Sequence, residues 1–149
     1  MIPLLVLLGS FSLLSLLSLV SRRFESIRFR ARLSLSVMLL LTGVSHFASS
    51  EQFIRMIPPV FPYPEWINAA SGVVELLLAG ALLSRRHYRI AGAATAIFLL
   101  LVWPANVYNA IVGNEVPGGL ELIIPYYLWV RLFFQPLYIW WAVWCTREP

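Results

Sequence analysis

The sequence predicts an all-α fold, a polytopic membrane helix bundle with five transmembrane helices, from its composition and from the clustering of its charges. Of the 149 residues, 60% are hydrophobic and 12% are charged, and the mean hydropathy is +0.79. This composition is more apolar than a soluble domain of this size requires. The few charged residues are clustered, so long stretches carry one or none. The sequence therefore argues against a soluble globular domain.

Five stretches have the length and composition of membrane-spanning helices, because roughly 20 apolar residues cross the hydrocarbon core as a helix. The predicted spans are 2–20, 33–48, 66–84, 90–111 and 126–145. The first lacks the basic start and the small-residue cleavage site of a signal peptide, so we expect a retained helix.

The charges also predict an orientation, because loops kept in the cytoplasm are enriched in Arg and Lys. Nine of the 11 arginines fall between spans one and two, between spans three and four, or after span five. These regions share one side when five spans alternate, and the other side carries four glutamates against Arg55. The predicted topology is a multi-pass protein of the cell membrane, with the N-terminus outside and the C-terminus cytoplasmic.

The connecting segments carry their own predictions. The string PPVFPYP at 58–64 predicts a stiff, extended outer cap, because prolines at this density prevent regular helix and sheet. The second outer loop, 113–125, contains Pro and Gly and should turn. The arginine-rich segment 21–32 is predicted to be a positive-inside loop, with an interfacial amphipathic stretch as the alternative.

Several function classes do not fit the sequence. The pI of 9.7 does not indicate nucleic acid, because the aromatic residues lie within apolar runs and not along a basic stripe. Cys145 is the single cysteine, so dithiol chemistry within the chain is excluded. No metal site is expected either, because the predicted spans hold one histidine and one glutamate.

Polar residues inside the predicted spans are the candidate functional residues, because ionisable groups at membrane depth are costly and tend to face the bundle interior. The candidates for pocket lining and binding are His46, Glu75, Asn106, Arg131 and Gln135. With the spans as placed, all five lie in the outer half of the bundle. We therefore expect a polar pocket open to the outside and sealed below by apolar side chains, with no catalytic residue assigned.

Helical spacing supports this pocket. On the third span, small and polar residues follow offsets of three and four, which suits a helix interface. They are Asn68, Ser71, Gly72, Glu75 and Ala79. Pro104 and Pro136 predict disturbed helices beside Asn106 and Gln135, with freed carbonyls that need partners in the bundle.

Simpler structural roles remain open for the same residues. Glu75 and Arg131 suit a structural ion pair that fixes helix register. His46 could be hydrogen-bonded to a loop carbonyl, and the side-chain amides of Asn106 and Gln135 suit interhelical hydrogen bonds. The many Trp and Tyr residues of the fifth span are typical of an interfacial belt, although a flat quinone would also stack on them.

Five short motifs occur in an order that resembles the DoxX-like family of small membrane proteins. They are Gly43-Val-Ser-His-Phe, the prolines at 58, 59 and 62, Ser71-Gly-Val-Val-Glu, Trp103-Pro-Ala-Asn, and Arg131-Leu-Phe-Phe-Gln-Pro. The resemblance covers about residues 33–147 and implies a four-helix membrane domain (22–149), preceded here by an additional N-terminal transmembrane helix (1–21). Relatives include subunits of a thiosulfate:quinone oxidoreductase, a partner of a secreted superoxide dismutase, and a receptor chaperone. Such diverse roles imply a shared scaffold and pocket more than a shared reaction.

These observations favour a small integral membrane protein that binds a lipid-like or quinone-like molecule and acts as an accessory or assembly subunit. The expected partners are the lipid bilayer and a membrane or secreted oxidoreductase, and small-residue pairs such as Ala91/Thr95 permit a homo-oligomer. The alternative is a quinone-linked membrane oxidoreductase subunit in which Arg131 orients the substrate and Glu75 or His46 relays protons. A channel fits less well, because the inner half of the bundle offers no polar path.

Overall fold

The computed structural model describes residues 2–21, 24, 26–113 and 127–147, and all regular structure in these residues is helical. Three of the helices, α2, α4 and α5, are long and apolar enough to cross a membrane by length and composition. The predicted helical bundle is thus confirmed and is compatible with a membrane location. The helices are α1 (Ile2–Leu17), α2 (Ile27–Ala48), α3 (Ser50–Arg55), α4 (Pro64–Leu83), α5 (Tyr88–Val112) and α6 (Tyr127–Thr146).

The first and last helices differ from the three apolar ones. With 16 residues, α1 rises about 24 Å at 1.5 Å per residue, which is less than the roughly 30 Å of a hydrocarbon core. With 20 residues, α6 is long enough, but Arg131, Gln135 and Pro136 interrupt its apolar sequence. The count of five membrane spans stays a prediction.

The connection between α2 and α4 departs from the predicted loop. Residues Ser50–Arg55 form the short helix α3, which the sequence analysis did not foresee. Residues 56–63 contain neither helix nor strand, as predicted, but they turn instead of extending, since the Phe61 amide donates to the Pro58 carbonyl at 3.1 Å. Tyr63 then adopts a left-handed backbone with φ of 56° immediately before α4. The predicted turn at 113–125 lies, beyond Gly113, outside the described residues.

Four of the helices form a ring. α2 packs against α4 and α6, and α5 packs against the same two helices. This places α4 and α6 at opposite corners of the ring. α1 packs on α2, outside the ring.

α2 and α4 approach each other closely at a glycine. The buried residues of α4 are Asn68, Gly72, Glu75, Ala79 and Leu82, so the predicted small and polar stripe does face the interior. A Cβ atom added at Gly72 would lie 2.8 Å from the Cβ of His46 and 2.8 Å from the Phe47 ring. Glycine is therefore required at this position for the two helices to pack as they do.

The end of the ring remote from α3 is filled by apolar side chains. Leu35, Leu82, Trp141 and Ala142 are buried there in one cluster. The Trp141 indole N–H donates to the Ala31 carbonyl at 3.0 Å, so its polar atom is satisfied within the core. This core occupies the position of the apolar seal that the sequence predicted.

The arginine-rich segment is not a simple loop. α2 begins at Ile27, within the segment, and the Ser26 hydroxyl caps it by accepting a hydrogen bond from the Phe29 amide at 3.3 Å. Arg28 donates to the carbonyls of Trp144 and Arg147 at 3.0 and 2.9 Å. The last carbonyls of a helix have no partner within it, so Arg28 caps the C-terminus of α6.

Candidate functional site

A cavity of about 590 Å³ opens inside the ring at the α3 end and contains all five residues that the sequence selected. Its volume falls in the range of about 300–1,000 Å³ that is typical of small-molecule sites. His46 comes from α2, Asn106 from α5, and Arg131 and Gln135 from α6, while α4 contributes Glu75. The polar residues form two separate hydrogen-bonded groups on different walls, and the remaining lining is largely apolar.

The first group joins α2 to α4 through Asn68. The Asn68 amide nitrogen donates to the His46 backbone carbonyl at 2.9 Å, and its oxygen lies 2.7 Å from His46 Nδ1. Because a carbonyl only accepts, the amide orientation is fixed, and its oxygen must accept from a protonated Nδ1. The second ring nitrogen, Nε2, is then the acceptor in the neutral histidine.

Glu75 faces that second nitrogen. Its Oε1 atom lies 3.9 Å from His46 Nε2. At this distance the two atoms do not form a hydrogen bond. Phe53 of α3 stacks on the imidazole, with ring centroids 4.0 Å apart. The histidine is thus held in place by residues of two neighbouring elements, α3 and α4.

The second oxygen of Glu75 has no hydrogen-bond partner among the described residues. Glu75 is only 7% exposed, and it lines the cavity. Leaving a buried polar atom unpaired costs roughly 1–3 kcal/mol. Oε2 itself is enclosed by the protein, so the rest of the Glu75 side chain is what lines the cavity.

The second group is a chain of hydrogen bonds that connects α6 to α5 twice. Arg131 Nη2 donates to Asn106 Oδ1 at 3.2 Å, and Asn106 Nδ2 donates to Gln135 Oε1 at 3.4 Å. Gln135 Nε2 then donates to the Leu99 carbonyl at 2.8 Å. That carbonyl lies five residues before Pro104, whereas the carbonyl that loses its helical donor to the proline is that of Leu100, so this bond joins α6 to α5 beside the proline turn without satisfying the freed carbonyl.

Two of the structural roles suggested by the sequence are wrong. Among the described residues, the ionisable group within 4 Å of Glu75 is the imidazole of His46, and Glu75 makes no ion pair with Arg131. The reason is the ring, which places α4 and α6 at opposite corners. His46 does not bond to a loop carbonyl either, because its ring nitrogen is engaged by Asn68.

The aromatic lining differs from expectation. Among the described residues, no tryptophan lines the cavity, and Trp140 and Trp144 stack on each other at 5.5 Å near the end of α6. Tyr127, Tyr138 and Phe53 line it instead. Phe53 was missed because α3 was predicted to be loop. Asn68 was assigned only to a packing stripe, although its spacing of seven residues from Glu75 puts both on one face.

Comparison with known proteins gives one match. Residues 35–146 match the sequence profile of a family described as Domain of unknown function (DUF8561). No curated protein and no solved structure matches the chain. Within the described residues, no three His, Cys, Asp or Glu side chains group closely enough to hold a metal ion. The matched segment begins within α2 and includes every residue of the two polar groups.

Proposed function

The chain belongs to the family of Domain of unknown function DUF8561, and we propose that it is a small multi-pass membrane protein whose cavity binds a lipid-like or quinone-like molecule. In this proposal it serves as an accessory or assembly subunit for a membrane or secreted partner. The observation that carries the proposal is the cavity of about 590 Å³, apolar in most of its lining, to which the four helices of the ring contribute His46, Glu75, Asn106, Arg131 and Gln135.

The membrane location is supported by a polar interior combined with an apolar exterior. Large apolar side chains on the outer faces of the helices are strongly exposed, for example Leu13 (59%), Leu77 (67%) and Phe133 (80%). Soluble monomers rarely expose contiguous apolar surface on this scale, whereas lipid covers it at no cost. Five spans with the N-terminus outside fit the charge distribution, and they place the mouth of the cavity outside.

Binding is favoured over chemistry because both polar groups are used to fix positions. Asn106 and Gln135 bond to each other and to the backbone, and Asn68 bonds to His46. Groups held in this way present an immobile surface to a ligand, which is what specific binding requires. The resemblance to the DoxX-like family, whose members have diverse roles, is in line with such a scaffold.

The test is to identify what occupies the cavity. The full chain would be extracted in native lipid discs, and its bound molecules measured by mass spectrometry against total lipid. Ser71 lines the cavity, so Ser71→Phe should expel an occupant, whereas Ala70→Phe on the exposed face of the same helix is the matched control. We expect one enriched species in the wild type and in the control, and its loss in Ser71→Phe. Equal amounts in all three proteins, or no enrichment, would refute the proposal.

The alternative function, a quinone-linked oxidoreductase subunit, is favoured by the His46–Glu75 pair. The two groups lie 3.9 Å apart beside the cavity, and in this reading Arg131 orients a carbonyl while the pair exchanges a proton with the substrate. Glu75→Gln should then abolish quinol-dependent turnover with the folded protein intact. Unchanged turnover in that variant would count against this alternative.

A further inference from the structure

We infer that an anionic phospholipid binds at the end of the ring remote from α3, in an open groove between α5 and α6, with its phosphate between Arg89 and Arg147. The inference rests on the membrane location given in the proposed function and is independent of what occupies the cavity. It follows from the shape of the groove and from the charges around it.

The groove has a volume of about 330 Å³ and lies where α5 begins and α6 ends. Its floor is formed by Thr146, which is buried because α5 and α6 meet there; a Cβ atom added at Gly92 would lie 2.6 Å from the Thr146 Cβ. Arg89 of α5 and Arg147, directly after α6, line the sides of the groove and are exposed. Two guanidinium groups from neighbouring helix ends therefore flank one groove.

Two arginines of α2 add to the positive charge around the groove. Arg28 donates to the Arg147 carbonyl at 2.9 Å, so the chain that follows α6 is tied to α2. The Arg32 guanidinium lies 4.1 Å from the centre of the Tyr88 ring, and the Arg89 guanidinium lies 6.0 Å from the same centre. Both distances are within the range of cation–π contacts. Four guanidinium groups thus surround the adjoining ends of α5 and α6.

The described glutamates lie elsewhere and leave this charge unbalanced. Glu51 is in α3, Glu65 is in the first turn of α4, and Glu75 lines the cavity. Like charges gathered at one end of a bundle raise the local potential and attract an anion. A phosphate group suits this place because guanidinium groups form charge-assisted, bidentate hydrogen bonds with phosphate oxygens.

The remaining lining of the groove favours a lipid over a soluble phosphate compound. Ala93 of α5 and Val143 of α6 line the groove beside the arginines. One turn further along α5, Ile97 is 60% exposed, and Ile139 occupies the corresponding position on α6. An acyl chain attached to the phosphate would cover this apolar strip. Basic sites between membrane helices on the cytoplasmic side bind anionic headgroups in this way, and the charge distribution predicts that this end is cytoplasmic.

The test compares two lipids that differ in headgroup charge. Dioleoyl-phosphatidylglycerol, which is anionic, and dioleoyl-phosphatidylcholine, which is zwitterionic, would be titrated onto the full chain in detergent micelles. The bound lipids would be counted by native mass spectrometry. We expect the first phosphatidylglycerol to bind at least about tenfold more tightly than phosphatidylcholine, equivalent to about 1.4 kcal/mol.

A matched pair of double variants locates the phosphate. Arg89→Gln combined with Arg147→Gln should bring the ratio of affinities to about one, because the charge-assisted hydrogen bonds to the phosphate are lost. Arg85→Gln combined with Arg86→Gln removes the same charge from two exposed arginines that do not line the groove. The ratio should stay above about fivefold in this control, because salt screens exposed charges at a distance.

A second pair of variants locates the acyl chain. Ala93→Phe fills the apolar part of the groove and keeps both arginines, so it should weaken the binding of phosphatidylglycerol. Ala70→Phe, on the exposed face of α4, is the control and should leave that binding unchanged. Both alanines are exposed, so neither substitution disturbs the packing of the core.

The outcomes separate this inference from the function on which it rests. Equal binding of the two lipids by the wild type would overturn the site while the proposed cavity stands. Equal loss of the preference in the two double variants would show a diffuse attraction and would also overturn the site. Displacement of phosphatidylglycerol by an equal concentration of glycerol phosphate would overturn the lipid in favour of a soluble phosphate compound. Extraction of the chain from phosphatidylcholine vesicles by alkaline carbonate would overturn the membrane location and this inference with it.

Discussion

Replacing Gly72 with alanine tests the close approach of α2 and α4 on which the cavity depends. The new methyl group would lie 2.8 Å from the Cβ of His46 and 2.8 Å from a ring carbon of Phe47, with the Phe47 Cζ atom at 3.0 Å. The two distances of 2.8 Å are shorter than a Cβ contact allows, and all three atoms belong to residues of α2. α2 must therefore move as a unit, or the methyl group must be accommodated by strain.

The magnitude follows from a comparison within the same helix. Gly80 has nothing within 4 Å of an added Cβ, so Gly80→Ala provides the matched control. Both substitutions gain about 1 kcal/mol of helix propensity, and this gain cancels between them. Overpacking typically costs about 1–3 kcal/mol. We expect Gly72→Ala to be less stable than Gly80→Ala by about 1–3 kcal/mol.

The assay is reversible unfolding in mixed detergent micelles, followed by tryptophan fluorescence, with the free energy of unfolding compared between the two variants. A second readout is the position of His46, because a displaced α2 should also weaken the hydrogen bond from His46 to Asn68. If Gly72→Ala were as stable as Gly80→Ala, the close packing described for α2 and α4 would be refuted.

Three further predictions concern the hydrogen bonds that hold the bundle. Arg28→Met should lower the free energy of unfolding by about 1 kcal/mol, because two carbonyls at the C-terminal end of α6 lose a hydrogen-bond donor. Arg85→Met, at an exposed arginine, is the control and should change the free energy of unfolding little. Equal effects of the two substitutions would argue against the cap. Asn68→Leu removes the acceptor that keeps the proton on His46 Nδ1, so the proton should move to Nε2. The chemical shifts of the two imidazole nitrogens report this change of tautomer. An unchanged spectrum would contradict the role given to Asn68. Gln135→Leu should cost about 0.5–1.5 kcal/mol in the same unfolding assay because it removes a buried hydrogen bond between α6 and α5, and an unaltered stability would show that this bond contributes nothing.

The sequence was sufficient to predict the helical bundle and five of the polar residues that line the cavity. The long helices were located from stretches with few charges and many apolar residues, because both features can be read from a short window of the sequence. The polar residues were found for a related reason, because a polar side chain within an apolar membrane helix is expected to face the bundle interior and not the lipid. Glu75, Gln135 and the stripe that includes Gly72 are accordingly buried as expected.

The partnerships among these residues were not predictable in the same way. Glu75 and Arg131 have opposite charges and similar depth, so pairing them was the natural expectation. Whether Glu75 and Arg131 pair depends instead on which helices are neighbours. The neighbours are set by packing around the ring, which the local sequence does not encode. The short helix α3 was missed because six residues give too little periodicity to detect beside a proline-rich segment.

The cap that Arg28 places on α6 has a consequence for how the protein is made. Its two hydrogen bonds span 116 and 119 residues of the sequence, so the first turn of α2 has no such partner until residue 147 has been synthesised. α1, α2 and α4 can assemble before that, but the cavity then lacks the wall that carries Arg131 and Gln135. Until α6 arrives, the Leu99 carbonyl also lacks its side-chain donor. Any factor that recognises partly assembled helical bundles would meet this protein in that open form, and the addition of α6 is the step that completes both the ring and the pocket.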